Sequence, residues 1–374
     1  MREERRAAKA GNKNGDPIVL KSKLLAAVPD PSASSALLIA ESTGSVRRVD
    51  VESGEAKQVF KGPTAPVTCV AVGGPGNRTV FAGSWDKDIW SWDLETKTPG
   101  RKYSGHSDFV KTVICTKIGP KDCLISGGAD KKIIVWDIET GSRIHVIQDQ
   151  NVSMMALQHL VIDPLESTPD AVILVSASSD PHIRRWRVTA DTVEQIKETL
   201  PNEPNSMHHS ILEHDTTVYR LFFDTEGEEV DLWTSSGDGT AKCLSRQKGY
   251  TTEDTIKHGS HVRAVAVTGQ WVITAGRDED VKVWDRTSGK LYCILEGHYN
   301  EVTDLVTLND GNLVASVSID GTIRKWPLQK HELDKVNKDR KEKANVVPKE
   351  DIPEPSESVM TAEEEAELAA LMED

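Results

Sequence analysis

Three observations in the sequence predict an all-β fold, a seven-bladed propeller closed into a ring. An Asp and a Trp recur at one fixed offset, short strand-like runs surround each pair, and another such run near the N-terminus can complete the last unit. A repeat of this length is typical of propellers, in which each unit is a small sheet packed against its neighbours. A chain of 374 residues can hold one such ring with short extensions at both ends.

The repeat is marked by an Asp that is followed six residues later by a Trp. Five copies keep both residues, beginning at Asp86, Asp130, Asp180, Asp278 and Asp320. Two weaker copies complete the series, Asp238 with Leu244 and Thr43 with Val49. Neighbouring anchors are 40 to 58 residues apart. Seven anchors therefore predict seven blades over residues 16–328.

Each unit contains short runs rich in Val, Ile, Thr and Trp between turn residues. The unit of Asp86 has "VTCVAV", "TVFAGS" and "DIWSWDL", and the unit of Asp278 has "VRAVAV", "WVITAG" and "VKVWDR". A fourth run follows in most units, such as "LYCIL". These compositions favour β-strands, and four strands in ~40–45 residues is the size of one propeller blade.

These residues make the chain similar to the WD-repeat β-propeller family. The resemblance rests on "IVWDIETG", "KVWDRTSG" and "SWDLET" and on the Gly-His pairs at 105–106 and 297–298, and it covers residues 16–328. It implies a ring closed by a strand from the N-terminus. After "TIRKWPL" the chain becomes too charged for an outer strand, whereas "DPIVLKSK" at 16–23 contains a strand-like run. We expect this run to complete the last blade.

A His and a Ser or Thr recur together with the Asp and the Trp. The complete sets are His106, Ser126, Asp130 and Trp136; His258, Thr274, Asp278 and Trp284; and His298, Ser316, Asp320 and Trp326. A fourth set, His214, Thr234 and Asp238, lacks only the Trp. A Ser-His-Asp catalytic site needs one converging set beside an oxyanion hole, whereas repeated sets suit buried polar groups that satisfy one another. The resemblance implies such structural tetrads, and we expect no catalytic residues.

The remaining blades depart from this pattern. Blade 2 has Ala82 and Pro63 where the hydroxyl and the His would stand, blade 1 has neither the acid nor the Trp, and blade 4 has no matching His. We expect these three blades to rely on apolar packing alone.

No cofactor or metal site is predicted. The five cysteines are scattered without a CxxC pair, and the glycine-rich run "SSGDGT" lacks the Gly-Lys-Ser/Thr of a P-loop. The adjacent His208 and His209 lie in the long connection between blades 4 and 5, where we expect a solvated loop rather than a metal site.

Residues before each hairpin Asp and at the start of each inner strand are expected to surround one end of the central channel, here called the channel mouth. They are Trp85, Phe109, Lys111, Tyr219, His261, Arg263, Arg277, Glu301 and Ile319. Trp, Tyr and Arg are enriched at binding hot spots, so we expect a partner site here. Phe109 and Ile319 could instead pack between blades.

The net charge of −14 is concentrated at the C-terminal end, since residues 350–374 contain ten Asp and Glu and no Lys or Arg. We expect residues 329–374 to form a charged, largely disordered tail with a short acidic amphipathic helix. Leu368, Leu371 and Met372 would form its apolar stripe. This helix either docks on a partner or belongs to a tail that only keeps the protein soluble.

These observations predict a non-catalytic scaffold that binds other proteins through the channel mouth, in the cytoplasm or the nucleus and without membrane insertion. An RNA- or ribosome-associated assembly factor is the alternative, although the acidic net charge disfavours it. It would use a polar N-terminal arm, residues 1–15, together with Lys111, Arg263 and Arg277. The basic residues of the arm are Arg2, Arg5, Arg6, Lys9 and Lys13. A substrate receptor of a ubiquitin ligase is a further alternative, but "IVWDIETG" and "KVWDRTSG" lack the Trp-Asp-x-Arg pattern of many such receptors.

Overall fold

Seven antiparallel sheets of consecutive strands form the ring of a β-propeller. The computed structural model describes residues 7, 9, 11–56, 58–200, 203–225 and 229–346. Among the described residues, those up to Leu333 form one compact unit that contains the strands, and those from Asp334 onward belong to a second. The predicted seven-bladed fold is confirmed. None of the helices in the described ranges combines the length and the apolarity that crossing a bilayer requires.

The first three blades follow strand β1 (Ile18–Val19). Blade 1 contains β2 (Leu24–Pro29), β3 (Ala36–Glu41), β4 (Ser45–Asp50) and β5 (Gln58–Lys61). Blade 2 contains β6 (Val67–Gly73), β7 (Thr79–Ser84), β8 (Asp88–Asp93) and β9 (Tyr103–Ser104), with a 3-10 turn at Pro75–Asn77. Blade 3 contains β10 (Val110–Ile118), β11 (Lys121–Gly128), β12 (Ile133–Asp137) and β13 (Arg143–Ile147).

The later blades include one with an insertion. Blade 4 contains β14 (Leu157–Ile162), β15 (Ala171–Ser178), β16 (His182–Thr189), β17 (Val193–Gln195) and β20 (Ile211–Leu212), and β18 (Glu198–Leu200) pairs with β19 (Glu203–His208). Blade 5 contains β21 (Val218–Phe223), β22 (Leu232–Ser236), β23 (Thr240–Ser245) and β24 (Thr251–Lys257). Blade 6 contains β25 (Val262–Val267), β26 (Trp271–Gly276), β27 (Asp280–Asp285) and β28 (Leu291–Glu296). Blade 7 contains β29 (Val302–Leu308), β30 (Leu313–Ser318), β31 (Thr322–Pro327) and β1, and helix α1 (Lys330–Val346) follows it.

The core lies between neighbouring blades. Ile125 and Val135 of blade 3, for example, belong to the same buried cluster as Leu157 and Leu174 of blade 4. Each blade presents apolar side chains on both faces, so the second strands are buried along nearly their whole length. The inner strands are consequently held at fixed positions around the channel.

The ring is closed by the N-terminal strand, as predicted. Ile18 pairs with Ile323 and Val19 with Thr322, and Ile18 packs against the cluster that contains Leu24 and Ile323. This pairing covers the edge that β31 would otherwise leave open.

The preceding arm also lies against blades 6 and 7. Lys9 Nζ is 3.0 Å from Asp280 Oδ1, and Asn14 Nδ2 donates to the Glu296 carbonyl at 2.9 Å. Lys9 is therefore engaged within the chain, whereas the RNA alternative would use it for a phosphate. Arg2, Arg5 and Arg6 lie outside the described residues.

The long connection between blades 4 and 5 is not the solvated loop that we predicted. Met207 and His208 belong to β19, which pairs with β18 through Glu198 and His208. The Glu198 carboxylate lies 3.2 Å from the guanidinium of Arg185, which is 5% exposed. A buried ion pair thus ties the base of this hairpin to blade 4, which the spacing of the repeat alone does not reveal.

Candidate functional site at the channel mouth

A β-bulge at the start of every inner strand places one side chain at the channel. In each of the seven inner strands the register skips the second residue. A bulged residue has no partner in the hydrogen-bond ladder, and the bulge changes the direction in which its side chain points. The seven bulged residues all line the central cavity, and they are Leu25, Thr68, Lys111, Gln158, Tyr219, Arg263 and Thr303.

A second ring of residues lies at the same end of the channel. In every blade the residue before the hairpin anchor donates its backbone N–H to the carbonyl just before the inner strand. Trp85 donates to Pro66 at 3.0 Å, and Arg277 donates to His261 at 3.1 Å. The corresponding donors in the other blades are Ser42, Ala129, Ser179, Gly237 and Ile319. Both rings lie at the channel mouth.

The structure brings the predicted channel-mouth residues together around one cavity of about 1280 Å³. Eight of the nine line it, namely Trp85, Lys111, Tyr219, His261, Arg263, Arg277, Glu301 and Ile319. Phe109 lies beside it, because its ring stacks on Trp85. Sequence reasoning missed Leu25, Thr68, Gln158 and Thr303. Their position after the first residue of each inner strand was the available signal.

Trp85 and Phe109 form an exposed aromatic shelf across blades 2 and 3. Their ring centroids lie 4.9 Å apart at an interplanar angle of 14°. Trp85 is 43% exposed and Phe109 is 38% exposed. Phe109 thus contacts a residue of the neighbouring blade while its ring remains exposed to solvent. Ile319, the other residue that could pack between blades, is half-buried.

The two carboxylates that line the cavity are already paired. Arg220 Nη1 lies 3.1 Å from Asp304 Oδ1, and Arg263 Nε lies 3.1 Å from Glu301 Oε1. The Arg263 guanidinium also lies 4.2 Å from the centroid of the Tyr219 ring. Arg263 Nε makes no hydrogen bond, so its contact with Glu301 is an ion pair with poor hydrogen-bond geometry.

Two further cations at the mouth have no such partner. Within the described ranges, neither Lys111 nor Arg277 has a carboxylate at ion-pair distance. Burial lowers the pKa of Lys111, and the positive charge of Arg263 lowers it further. Deeper in the channel, burial lowers the pKa of His159 well below its ordinary value, and the charge of Arg220 adds to this effect. Lys111 is therefore an unpaired cation held beside another cation.

The predicted tetrads lie within single blades. His106 is 2.9 Å from Asp130 and 2.8 Å from Ser126, whose Oγ accepts from Trp136 Nε1 at 2.9 Å. The same connections, at 2.7 to 2.9 Å, join His258, Thr274, Asp278 and Trp284, and also His298, Ser316, Asp320 and Trp326. His214 lies 2.7 Å from Asp238 and 2.8 Å from Thr234.

Burial alone would raise the pKa of the tetrad carboxylates. In Asp130 the hydrogen bond and the charge of His106 outweigh burial and hold the pKa below its ordinary value. The four His side chains are 0–1% exposed. The side chains of each tetrad therefore contact one another and do not line a cavity that could hold a substrate.

The prediction that blades 1, 2 and 4 rely on apolar packing alone is wrong. In blade 4, the fully buried Arg184 contacts Asp149, Ser178 and Asp180. In blade 1, the buried Glu41 accepts from Ser22 at 2.8 Å and pairs with Arg47 at 2.8 Å.

Blade 2 also contains a polar contact at the equivalent place, because Trp90 Nε1 donates to Asp86 Oδ2 at 2.9 Å. Blades 1, 2 and 4 therefore contain polar contacts of their own, made by residue types that differ from those of the His tetrad. Sequence comparison by position misses them because the residue types differ from those of the tetrad.

One acidic cluster among the described residues resembles a cation site in composition only. Oxygens of Glu229, Asp231 and Glu253 lie within 4.8 Å of one another. Lys248 Nζ lies 2.6 Å from Glu253 and Gln247 donates to Glu229 at 2.8 Å. The cluster is thus partly neutralised by its own neighbours. The predicted tail residues Leu368, Leu371 and Met372 lie outside the described residues.

Comparisons with known proteins agree with this architecture. The family model described as the tRNA methyltransferase TRM82 WD40 domain matches residues 103–235. The model described as WD domain, G-beta repeat, matches residues 54–93, 251–285 and 289–327. These matches extend from the outer strand of blade 1, Gln58–Lys61, to the third strand of blade 7, Thr322–Pro327.

Similar proteins come from fungi and animals. An uncharacterized WD repeat-containing protein of Schizosaccharomyces pombe is 29% identical over 385 aligned positions, which cover 100% of this chain and 95% of that protein. The nuclear distribution protein nudF of Aspergillus niger is 26% identical over 75% of this chain, and the chain spans 53% of its length. A p21-activated protein kinase-interacting protein 1-like of Xenopus laevis is 22% identical over 70% of this chain and 64% of its own length.

Proposed function

Because this chain belongs to the WD-repeat β-propeller family, we propose that it is a non-catalytic scaffold that assembles proteins through its channel mouth. The observation that carries this proposal is the exposed Trp85–Phe109 stack beside the unpaired Lys111 and Arg277. A solvent-exposed aromatic pair next to cations is the composition of a binding hot spot. The rigid ring holds these side chains in place before a partner arrives, which lowers the entropy cost of binding.

The names of the relatives support protein binding. The Xenopus relative is named for interaction with a p21-activated protein kinase, and we transfer from it only the general role of a binding partner. We also propose that the four His-containing sets are structural. Each His is buried and lies within one blade, so no single set brings a nucleophile, a base and an open pocket together as an acyl-transfer site requires.

Affinity purification from cells tests the proposed surface. We compare the wild-type chain with a Trp85→Ala/Arg277→Ala variant by mass spectrometry of co-purified proteins. The matched control is Val146→Ala/Arg187→Ala, which removes an exposed apolar and an exposed basic side chain from strands away from the mouth. We expect the mouth variant to lose partners that the control retains. Identical partner sets for the two variants would contradict the proposal.

The C-terminal residues offer a separate surface that the same experiment can examine. Residues 350–374 carry ten acidic residues, and we propose that their role is either docking or solubility. Partner sets recovered with and without residues 350–374 separate these roles. Loss of specific partners supports docking, and unchanged partners at lower solubility support a solubilising tail.

A second candidate function is participation in an RNA-modifying assembly. It is favoured by the match of residues 103–235 to the TRM82 domain of a tRNA methyltransferase, which includes Lys111. RNA binding should weaken steeply with salt because phosphate contacts release counterions. Retention of the chain on RNA at low salt, with loss in Lys111→Met, supports this role. No retention at low salt removes direct RNA binding from consideration.

A further inference from the structure

We propose that the channel mouth binds an anionic side chain of a partner peptide between Lys111 and Arg277, while an apolar side chain of the same peptide lies on the Trp85–Phe109 shelf. This inference rests on the proposed function and adds the chemistry of the partner. The anion is a carboxylate or a phosphate, since either can accept from an ammonium and a guanidinium together.

Lys111 has no counter-charge among the described residues. The bulge in β10 places this side chain in the channel wall, where it is half-buried. Burial lowers the pKa of Lys111, and the cation Arg263 lowers it further, whereas no carboxylate among the described residues raises it. A desolvated cation beside a like charge is unfavourable unless an anion is supplied. The two acids of the wall cannot supply it, because Asp304 and Glu301 pair with Arg220 and Arg263.

The channel wall carries an excess of positive charge. Four Lys or Arg residues line the cavity with only two carboxylates, and they are Lys111, Arg220, Arg263 and Arg277. The whole chain carries a net charge of −14, of which −10 lies in residues 350–374. A positive cavity with low-dielectric walls focuses the field and attracts an anion to the mouth. The channel mouth is therefore selective for a short acidic segment that can reach into it.

The apolar shelf can bind a second side chain of the same peptide. Trp85 and Phe109 are exposed next to this positive cavity and already stack on each other. Phe109 and Lys111 are two residues apart at the start of β10, where the bulge lies. An anion in the channel and an apolar group on the shelf can therefore belong to one short peptide. A polyanion such as RNA needs several phosphate contacts for affinity. This mouth offers two unpaired Lys or Arg side chains, which favours a peptide.

An oriented peptide library tests the inference with the full-length chain. Each peptide carries Glu, phosphoserine, Gln or Ser at a fixed central position among degenerate residues. We expect selection of Glu or phosphoserine over Gln and Ser, and selection of an aromatic or aliphatic residue within a few positions of it. Glu and phosphoserine arms distinguish a carboxylate from a phosphate partner.

Variants separate the two halves of the site. Lys111→Met should lose at least ~10-fold of the preference for the acidic position, as expected for a charge-assisted hydrogen bond, and Lys111→Arg should retain it. Trp85→Ala should lose the apolar preference and keep the acidic one. Arg187→Met, which removes an exposed positive charge from β16, should change neither.

Folding of the variants is checked by melting temperature. Removing an unpaired cation relieves repulsion with Arg263, so Lys111→Met should melt at or above the temperature of the wild type. A lower melting temperature would contradict the placement of Lys111 as an unpaired charge.

The outcomes distinguish this inference from the proposed function. If the library shows no preference for either acid while Trp85→Ala/Arg277→Ala still loses cellular partners, the anion site is wrong and the scaffold proposal stands. If both experiments are negative, both are wrong. Binding of single-stranded RNA that Lys111→Met abolishes, without acidic peptide selection, overturns the inference in favour of RNA.

Discussion

Arg184 places its Nε 2.5 Å from Asp149 Oδ2, and neither side chain is exposed to solvent. The same guanidinium donates to Asp180 at 3.0 Å and to Ser178 at 3.1 Å. Blade 4, which has no tetrad His, thus holds a buried cation among acceptors. Hydrogen bonds from Val152 and Asn151 and the contact with Arg184 outweigh burial and keep the pKa of Asp149 below its ordinary value. The carboxylate is therefore charged and needs its partner.

Removing this partner should strongly destabilise the protein. In Arg184→Met, Asp149 and Asp180 remain buried without a counter-charge, and we expect a loss of ~3–5 kcal/mol in the free energy of unfolding. Urea denaturation measures it. Arg187→Met is the exposed control in the same strand and should change the free energy by less than ~0.5 kcal/mol. Equal stability of Arg184→Met and wild type would contradict the conclusion that the buried ion pairs of Arg184 stabilise blade 4.

The hairpin Asp of blade 3 belongs to a tetrad and that of blade 2 does not, so substituting each one measures how much the tetrad stabilises its blade. Asp130 accepts from the backbone N–H of Ser107 at 2.9 Å and meets His106, so Asp130→Ala should cost ~2–4 kcal/mol by breaking a buried network. Asp86 instead accepts from Trp90 Nε1. The matched substitution Asp86→Ala should therefore lower the free energy of unfolding by less than Asp130→Ala does. Thermal unfolding ranks the two. A larger loss for Asp86→Ala would show that the His-containing set contributes little.

Stability should fall on acidification in part because of Asp278. Burial would raise the pKa of this carboxyl, but contacts with His258 and Lys282 outweigh it and lower the pKa to about 2 from 3.8. A depressed folded-state pKa stabilises above the unfolded value and loses that effect as pH falls toward the folded one. From pH 6 to pH 3 the loss should be ~1 kcal/mol. Asp278→Asn should flatten this dependence, whereas the exposed Glu139→Gln should not. Parallel pH profiles for all three proteins would exclude Asp278 as a source.

Closure of the ring is tested by two neighbouring residues of β1. Ile18 faces the cluster of Leu24 and Ile323, whereas Val19 is 72% exposed. Ile18→Ala should lower the free energy of unfolding by ~1–2 kcal/mol because it leaves a partly filled cavity, and Val19→Ala should have little effect. Deletion of residues 1–22 should reduce the melting temperature much further. An unchanged melting temperature after that deletion contradicts closure by this strand.

The repeat could be predicted because identical residue types recur at identical offsets. His106, Ser126 and Asp130 have counterparts in other blades, and the same spacing places the hairpin residues at one face. Asp149 could not be predicted to meet Arg184, because it stands 31 residues before Asp180 and no other blade uses this pair. The stack of Trp85 on Phe109 joins two different units, so no pattern within one unit contains it.

The insertion between blades 4 and 5 shows a different limit. Strands β18 and β19 have no counterpart in the other blades, and Glu198 of this pair meets the buried Arg185. Likewise, the basic residues of the arm suggest a free polycation, but Lys9 meets Asp280 across a separation of 271 residues. Contacts at such distances follow from the closed ring and not from local composition.

The channel mouth as the binding face is tested most directly by site-specific photocrosslinking in cells. A benzophenone amino acid replaces Phe109 at the mouth in one variant and Val146, an exposed residue of the outer strand β13, in the other. Both positions are exposed, so their accessibility to solvent does not decide the result. We predict discrete crosslinked protein adducts from position 109 and none of the same adducts from position 146. Adducts from position 146 alone would contradict the proposal that the channel mouth is the partner-binding face.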